Sequence, residues 1–162
     1  MAIVYLGLGS NINPEENLAV GVRELRRKYG DVVVSNTYQS AALGFEGADF
    51  LNLVVRLEAA DTAANIHEHI EAIHKMTGRQ SGKNKYSSRP LDIDLLLYGD
   101  LIVDEPSLRL PRTDILEFSF VLRPLSEIAP DLVHPESGKT LSEHWQKFDE
   151  ASHPLNRVHI FL

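Results

Sequence analysis

The stretch Leu91-Asp92-Ile93-Asp94-Leu95-Leu96-Leu97-Tyr98 has no helical period and is apolar except for two acids. It reads as a strand whose only charges are Asp92 and Asp94. Residues two apart on a strand share a face, so the two carboxylates stand side by side. Like charges that close repel, and burial raises the penalty. A divalent cation removes the cost. Hard oxygen donors in small number suit Mg²⁺, particularly when nucleotide phosphates complete its shell. Taken alone, the pair is also compatible with the solvated face of an edge strand.

The remaining elements are arranged around this strand. Ile3 to Leu8 reads as a buried N-terminal strand ended by Gly9-Ser10-Asn11. Asn13 as N-cap, Pro14 in the first helical position and Glu15 and Glu16 behind it predict a helix to about Tyr29, with Gly30 as its stop. Val32 to Tyr38 is expected as a second strand and Phe50 to Leu57 as a third, with the loop Gln39 to Asp49 between them. Asp61 or Thr62 caps a second helix through Ile66, Ile70 and Ile73 to about Thr77, terminated by Gly78. With the Leu91 to Tyr98 strand the order is strand, helix, strand, strand, helix, strand, the split βαβ pattern of a ferredoxin-like sheet. A hairpin (Leu101 to Val103, then Leu108 to Leu110), a helix over Phe118 to Leu125 stopped by Ala129-Pro130, and a short helix from Leu141 to Phe148 follow. The expected fold is α+β: a ferredoxin-like βαββαβ core, with the hairpin and C-terminal helices making an α/β/α three-layer arrangement. Neither repeats nor linkers interrupt residues 1–162, which are read as one domain.

Charge and composition narrow the function. With 16 Lys plus Arg against 23 Asp plus Glu the net charge is −7, which argues against a nucleic-acid or anionic-membrane partner. The absence of cysteine removes thiol nucleophiles and Cys-type zinc sites. With no signal-peptide pattern at Met1-Ala2-Ile3-Val4-Tyr5 and no apolar run long enough to span a membrane, a cytoplasmic protein is expected. Against the acidic background, Gly78 to Arg89 carries Arg79, Lys83, Lys85 and Arg89 and no acid. Alone such a segment reads as a solvated charged loop; directly before two carboxylates, it could also close over a polyphosphate whose metals the carboxylates hold. His67, Glu71 and His74 share one helix face, which reads as solvated; Glu71 stands where a zinc-protease motif needs histidine. No Ser/His/Asp context surrounds Ser10 or Ser40, and Gly7-Leu8-Gly9 lacks the third glycine of a dinucleotide fingerprint.

From Tyr5 to about His134 the chain resembles the 6-hydroxymethyl-7,8-dihydropterin pyrophosphokinase family. The resemblance rests on Gly9-Ser10-Asn11, Phe50-Leu51-Asn52, Gly78-Arg79, Arg89-Pro90-Leu91-Asp92-Ile93-Asp94 and the run Phe120 to Pro130. It implies transfer of pyrophosphate from ATP to the pterin hydroxymethyl group in folate biosynthesis, with AMP released and small molecules as the only partners of an expected monomer. Asp92 and Asp94 would then hold two Mg²⁺ ions, with Arg89 as the third catalytic residue. ATP would be bound by His74, Arg79, Lys85, Tyr86, Arg89, Leu95, Arg112 and Thr113. The pterin would be bound by Ser40, Ala41, Leu43, Phe50, Asn52 and Phe120, with its ring between Phe50 and Phe120.

The chain departs from the family pattern mainly on the nucleotide side. Ser81 stands in place of an arginine, Tyr86-Ser87-Ser88 in place of Trp-Gly-Pro, Arg112 in place of a histidine, and Phe118 in place of an arginine. His74 takes the place of a glutamate, and Ser40-Ala41 that of Thr-Pro in the pterin loop. Arg112, Lys83 and Lys85 are the candidates to replace the lost phosphate ligands. The alternative implied by the same changes is a pterin-binding relative with lost or altered pyrophosphoryl transfer.

Overall fold

The computed structural model describes residues 1–78 and 90–162. In chain order its elements are β1 (Ala2–Ser10), α1 (Pro14–Tyr29), β2 (Val33–Val34), β3 (Thr37–Ser40), β4 (Phe50–Ala59), α2 (Ala63–Met76) and β5 (Asp92–Tyr98). There follow β6 (Val103–Glu105), β7 (Leu108–Leu110), α3 (Asp114–Glu117), α4 (Ser119–Ile128), α5 (Leu141–Lys147), a 3₁₀ turn and β8 (Asn156–Val158). β1 pairs antiparallel with β4 on one side and β5 on the other, and the sheet runs β5-β1-β4-β3-β8, with β2 also on β4. The first four of these strands stand in the order of the ferredoxin-like sheet anticipated above.

Alternation along the strands divides the interior into two clusters. Val4, Leu6 and Leu8 point toward α1 and α2, where they pack with Leu18, Val22, Leu25, Ile66, Ile70 and Ile73. On the other face Tyr5, Val54, Leu96 and Leu97 pack with Ile115, Val121, Leu122, Leu125 and Leu141. The result is three layers, helices on both faces of the sheet. The register shifts between Tyr5 and Leu6, which pair with Leu97 and Leu95. Leu96 is therefore the extra residue of a bulge, and both Leu96 and Leu97 join the second cluster.

Several elements differ from their sequence expectation. The second strand is broken into β2 and β3 because the hydroxyl of Ser35 accepts the Val54 N–H at 2.8 Å, substituting a side chain for a main-chain carbonyl in the ladder. Gln39 and Ser40 belong to β3, so the loop before β4 begins at Ala41. Asn13 occupies the N-cap position of α1 but is left-handed (φ 42°) and makes no side-chain cap. For α2 the cap is Thr62, whose hydroxyl accepts from the Asn65 N–H. The first hairpin strand lies at Val103–Glu105, two residues later than expected at its start, and α4 extends to Ile128. β8 was not anticipated: its three residues pair with Thr37, Tyr38 and Gln39 and cover the outer edge of β3.

Candidate active site

Gly9 of β1 lies opposite Asn52 of β4 and Asp92 of β5, and Gly7 lies opposite Val54 and Asp94. The two glycines put no side chain on the α4 face of β1, which leaves a trough between the carboxylates and β4. The space is closely matched to its walls. A Cβ on Gly9 would stand 3.2 Å from Asn52 Oδ1 and 3.8 Å from Phe50 Cδ1. The trough opens into a cleft of about 680 Å³ whose lining includes Ser40, Phe50, Asn52, Asp92, Asp94, Phe118 and Phe120. Sequence reasoning set Gly7 and Gly9 aside as an incomplete dinucleotide motif. The signal that would have found them is their position as two bare, same-face residues in a strand able to pair with Asp92 and Asp94.

The β4 end of the cleft is polar at its base and aromatic at its rim. Asn52 is buried, and its Nδ2 donates to Ser40 Oγ at 2.8 Å and to the Tyr38 carbonyl at 3.3 Å. This bonding fixes the amide so that Oδ1 faces Gly9. Phe50 meets Phe45 edge-on at 6.4 Å, and Phe120 stacks on Phe118 at 5.1 Å with the rings 12° from parallel. Ala41 and Leu43 also line the cleft, on the exposed loop that Gln39 and Asp49 close at its neck through a 3.0 Å hydrogen bond.

Gly9-Ser10-Asn11 ties both approaches to the end of β1. The buried Ser10 hydroxyl donates to the carbonyl of Pro90, and Asn11 Nδ2 donates to the carbonyl of Ala48 at 3.1 Å. One bond fixes the residue that enters β5; the other holds the loop that precedes β4.

At the opposite end, β5 is an edge strand, and its outer side is covered by side chains and loop backbone. His74 of α2 is buried; its Nε2 accepts the Ile93 N–H at 2.8 Å and its Nδ1 lies 3.2 Å from Glu71. The arrangement assigns the ring proton to Nδ1. The Arg112 N–H donates to the Leu96 carbonyl at 3.0 Å. Burial first, then the charge of Asp92, push the Asp94 carboxyl up to about 7 against the opposing pull of Arg112. Arg112 Nη2 lies 3.5 Å from Asp94, and its Nε lies 3.2 Å from Asp114.

The structure thus gathers Asp92, Asp94, His74, Leu95, Arg112 and Thr113 at one end and Ser40, Ala41, Leu43, Phe50, Asn52 and Phe120 at the other, all lining one cleft. Leu95 also packs into the α1/α2 cluster. Arg79, Lys83, Lys85, Tyr86 and Arg89, with Ser81 and the rest of the basic segment, lie outside the described residues. His67 and Glu71, read from sequence as a solvated face, line the cleft beside His74, and Arg109, Asp114 and Glu117 enter it from the β7–α3 side. Among the described residues no three His, Cys, Asp or Glu side chains are grouped to hold a metal by themselves.

The profile of the 7,8-dihydro-6-hydroxymethylpterin-pyrophosphokinase (HPPK) family matches residues 5–130. The chain belongs to this family. Among HPPK relatives, the 2-amino-4-hydroxy-6-hydroxymethyldihydropteridine pyrophosphokinase of Aquifex aeolicus is 33% identical over 145 residues, 88% of this chain and 90% of its own. The protein of the same name from Porphyromonas gingivalis is 38% identical over 143 residues, 85% of this chain and 97% of its own. Among solved structures, wild-type Plasmodium falciparum HPPK-DHPS with SDX-DHP superposes with a TM-score of 0.73 at 13% identity. The match covers 91% of this chain and 43% of that one, so the chain spans less than half of that two-part protein, with which it shares the HPPK fold. Within the HPPK fold the cleft lies on the sheet face that carries α4.

Proposed function

We propose that this HPPK-family chain transfers the β,γ-pyrophosphoryl group of ATP to the hydroxymethyl oxygen of 6-hydroxymethyl-7,8-dihydropterin. The observation that carries the reading is the side-chain-free trough over Gly7 and Gly9, joining an aromatic, amide-based recognition end to a carboxylate pair. In the reaction the hydroxymethyl oxygen bonds to the β-phosphorus and the bond from that phosphorus to the α-phosphate oxygen breaks. AMP leaves with the electron pair, and the hydroxyl proton is released.

Each end has a task. Asn52 Oδ1, fixed by the bonds from Nδ2 to Ser40 and Tyr38, accepts a hydrogen bond from the edge of the heterocycle. Phe50 holds one face of the ring. Phe120, backed by Phe118, offers its remaining face to the other. Asp92 and Asp94 fit divalent metal by the chemistry of their donors: two hard carboxylates, one of them raised to about 7 by burial and by the other's charge, with too few other protein ligands among the described residues to complete a site without substrate oxygens. Mg²⁺ bound there would neutralise the triphosphate and polarise the transferred phosphorus. Arg112, with Arg79, Lys85 and Arg89 from the basic segment, supplies further positive charge toward the phosphates. An in-line transfer asks little covalent work of a protein, so alignment and charge neutralisation account for most of the catalysis.

The test is an end-point assay with MgATP and 6-hydroxymethyl-7,8-dihydropterin, nucleotides separated by chromatography. Pterin-dependent AMP is expected. ADP as the product, or AMP formed equally without pterin, would overturn the proposal.

A further inference from the structure

Arg112 stands between two carboxylates from different elements, Asp94 on β5 and Asp114 at the start of α3. Its backbone is held beside β5 by the N–H bond to Leu96, and its Nε is kept near Asp114 at 3.2 Å. Both contacts are Coulombic, each longer than the roughly 2.7–2.9 Å of a charge-assisted hydrogen bond, and the buried Nε donates no hydrogen bond. The approach to Asp94 is the longer of the two, and both of its side chains keep about a third of their surface open to the cleft. The guanidinium therefore lies between two carboxylates, nearer Asp114, and its other side rests on a carboxylate that the reading above assigns to metal.

We propose that Arg112 is the resident counter-cation of the Asp92–Asp94 pair. It yields Asp94 to a divalent cation and turns, keeping its ion pair with Asp114, toward the phosphates that arrive with that cation. The inference rests on the proposed metal role of Asp92 and Asp94. Its physical basis is that a guanidinium and a divalent ion on one carboxylate repel each other, whereas a phosphate accepts both. Metal alone must displace Arg112 without compensation; metal with triphosphate gives Arg112 a new and better-matched partner. Arg112 would thus oppose loading of free metal and favour loading of the metal–nucleotide complex.

The experiment measures Mn²⁺ binding by electron paramagnetic resonance, with and without α,β-methylene ATP, in the wild type and in Arg112→Met, Arg112→Lys and Asp94→Asn. For Arg112→Met, Mn²⁺ alone is expected to bind on the order of threefold to tenfold more tightly, because a neighbouring positive charge is gone. Mn²⁺ with the nucleotide analogue is expected to bind on the order of tenfold more weakly. Arg112→Lys, which keeps the charge but loses the fork, should lie between the two on both measurements. A purely structural defect would move both affinities the same way, and that result overturns the proposal. Unchanged metal-only binding in Arg112→Met, alongside its loss in Asp94→Asn, also overturns it while leaving the metal site intact. Wild-type Mn²⁺ binding in Asp94→Asn would instead overturn the metal reading on which the inference rests.

Discussion

His74 Nε2 accepts the backbone N–H of Ile93 at 2.8 Å, so α2 grips β5 at the one residue that separates Asp92 from Asp94. The bond satisfies a donor on the outer side of an edge strand and leaves the two carboxylates on the sheet face away from α2. Removing the imidazole leaves a buried N–H unpaired, at a cost of about 1–3 kcal/mol. His74→Ala should lower the stability measured by urea denaturation by that amount and reduce turnover more than pterin binding. His74→Gln, whose amide oxygen can accept the same hydrogen, should recover part of both.

The carboxylate pair is expected to serve transfer and not pterin recognition. Asp92→Asn and Asp94→Asn should each reduce AMP formation on the order of 10²-fold to 10³-fold, the scale of losing one preorganised electrostatic contact in a reacting centre. Pterin affinity measured by calorimetry should change less than about threefold in the absence of nucleotide, because Asn52 and Phe50 lie across the trough.

Asp94 also predicts a pH dependence. Its carboxyl titrates near 7 in the folded chain and near 4 when unfolded, so between those values the folded state holds a proton that the unfolded state has lost. Stability of the metal-free protein from this group is greatest at the acid end of the window and falls as pH rises from about 4 to about 7. Thermal melts of wild type and Asp94→Asn across that range should diverge, the wild type losing ground toward neutral pH. Saturating Mg²⁺ at pH 8 should restore much of the difference.

Gly7 and Gly9 should respond differently to an added methyl group. At Gly9 the new Cβ would sit 3.2 Å from Asn52 Oδ1, whereas at Gly7 its nearest neighbours are Leu96 side-chain atoms at 3.4 Å and beyond. Gly9→Ala is expected to weaken pterin binding by about tenfold, equivalent to about 1.4 kcal/mol, with little loss of secondary structure. Gly7→Ala should bind pterin nearly as wild type does. Fluorescence titration with the pterin, paired with circular dichroism, separates the two effects.

Tyr38 joins the sheet to α4 and should carry stability without chemistry. Its hydroxyl donates to Glu127 at 2.5 Å, and its ring lies under the Arg123 guanidinium at 4.7 Å. Tyr38→Phe is expected to cost about 1–2 kcal/mol in urea denaturation while leaving AMP formation unchanged per folded molecule.

Local patterns carried most of the fold. Helix α1 has the expected bounds, with Pro14 at its start and Gly30 at its end, because those two residues act through their own backbone geometry. The two acids of β5 were legible because period two and charge in an apolar run are both local signals. What escaped depends on partners distant in sequence. Ser35 reads as an ordinary strand residue until Val54 donates to its hydroxyl, and β8 is too short to show a pattern without β3 beside it. Asn13 reads as a helix cap, yet adopts a left-handed backbone that leaves its side chain out of that role. His67 and Glu71 are exposed as read, but His74 on the same face is buried, because a helix period does not reveal the Ile93 N–H that its ring comes to accept.

The rung formed by Asn52, Gly9 and Asp92 has one further consequence. Neighbouring strands stand about 4.8 Å apart, so two backbone spacings of about 10 Å separate the residue assigned to the acceptor from the residue assigned to the metal. The sheet acts as a ruler between the two substrates, graduated by main-chain hydrogen bonds that no side-chain substitution lengthens. Changes in the surrounding loops are then expected to alter how fast substrates enter and leave, while the distance the phosphoryl group must cross stays constant.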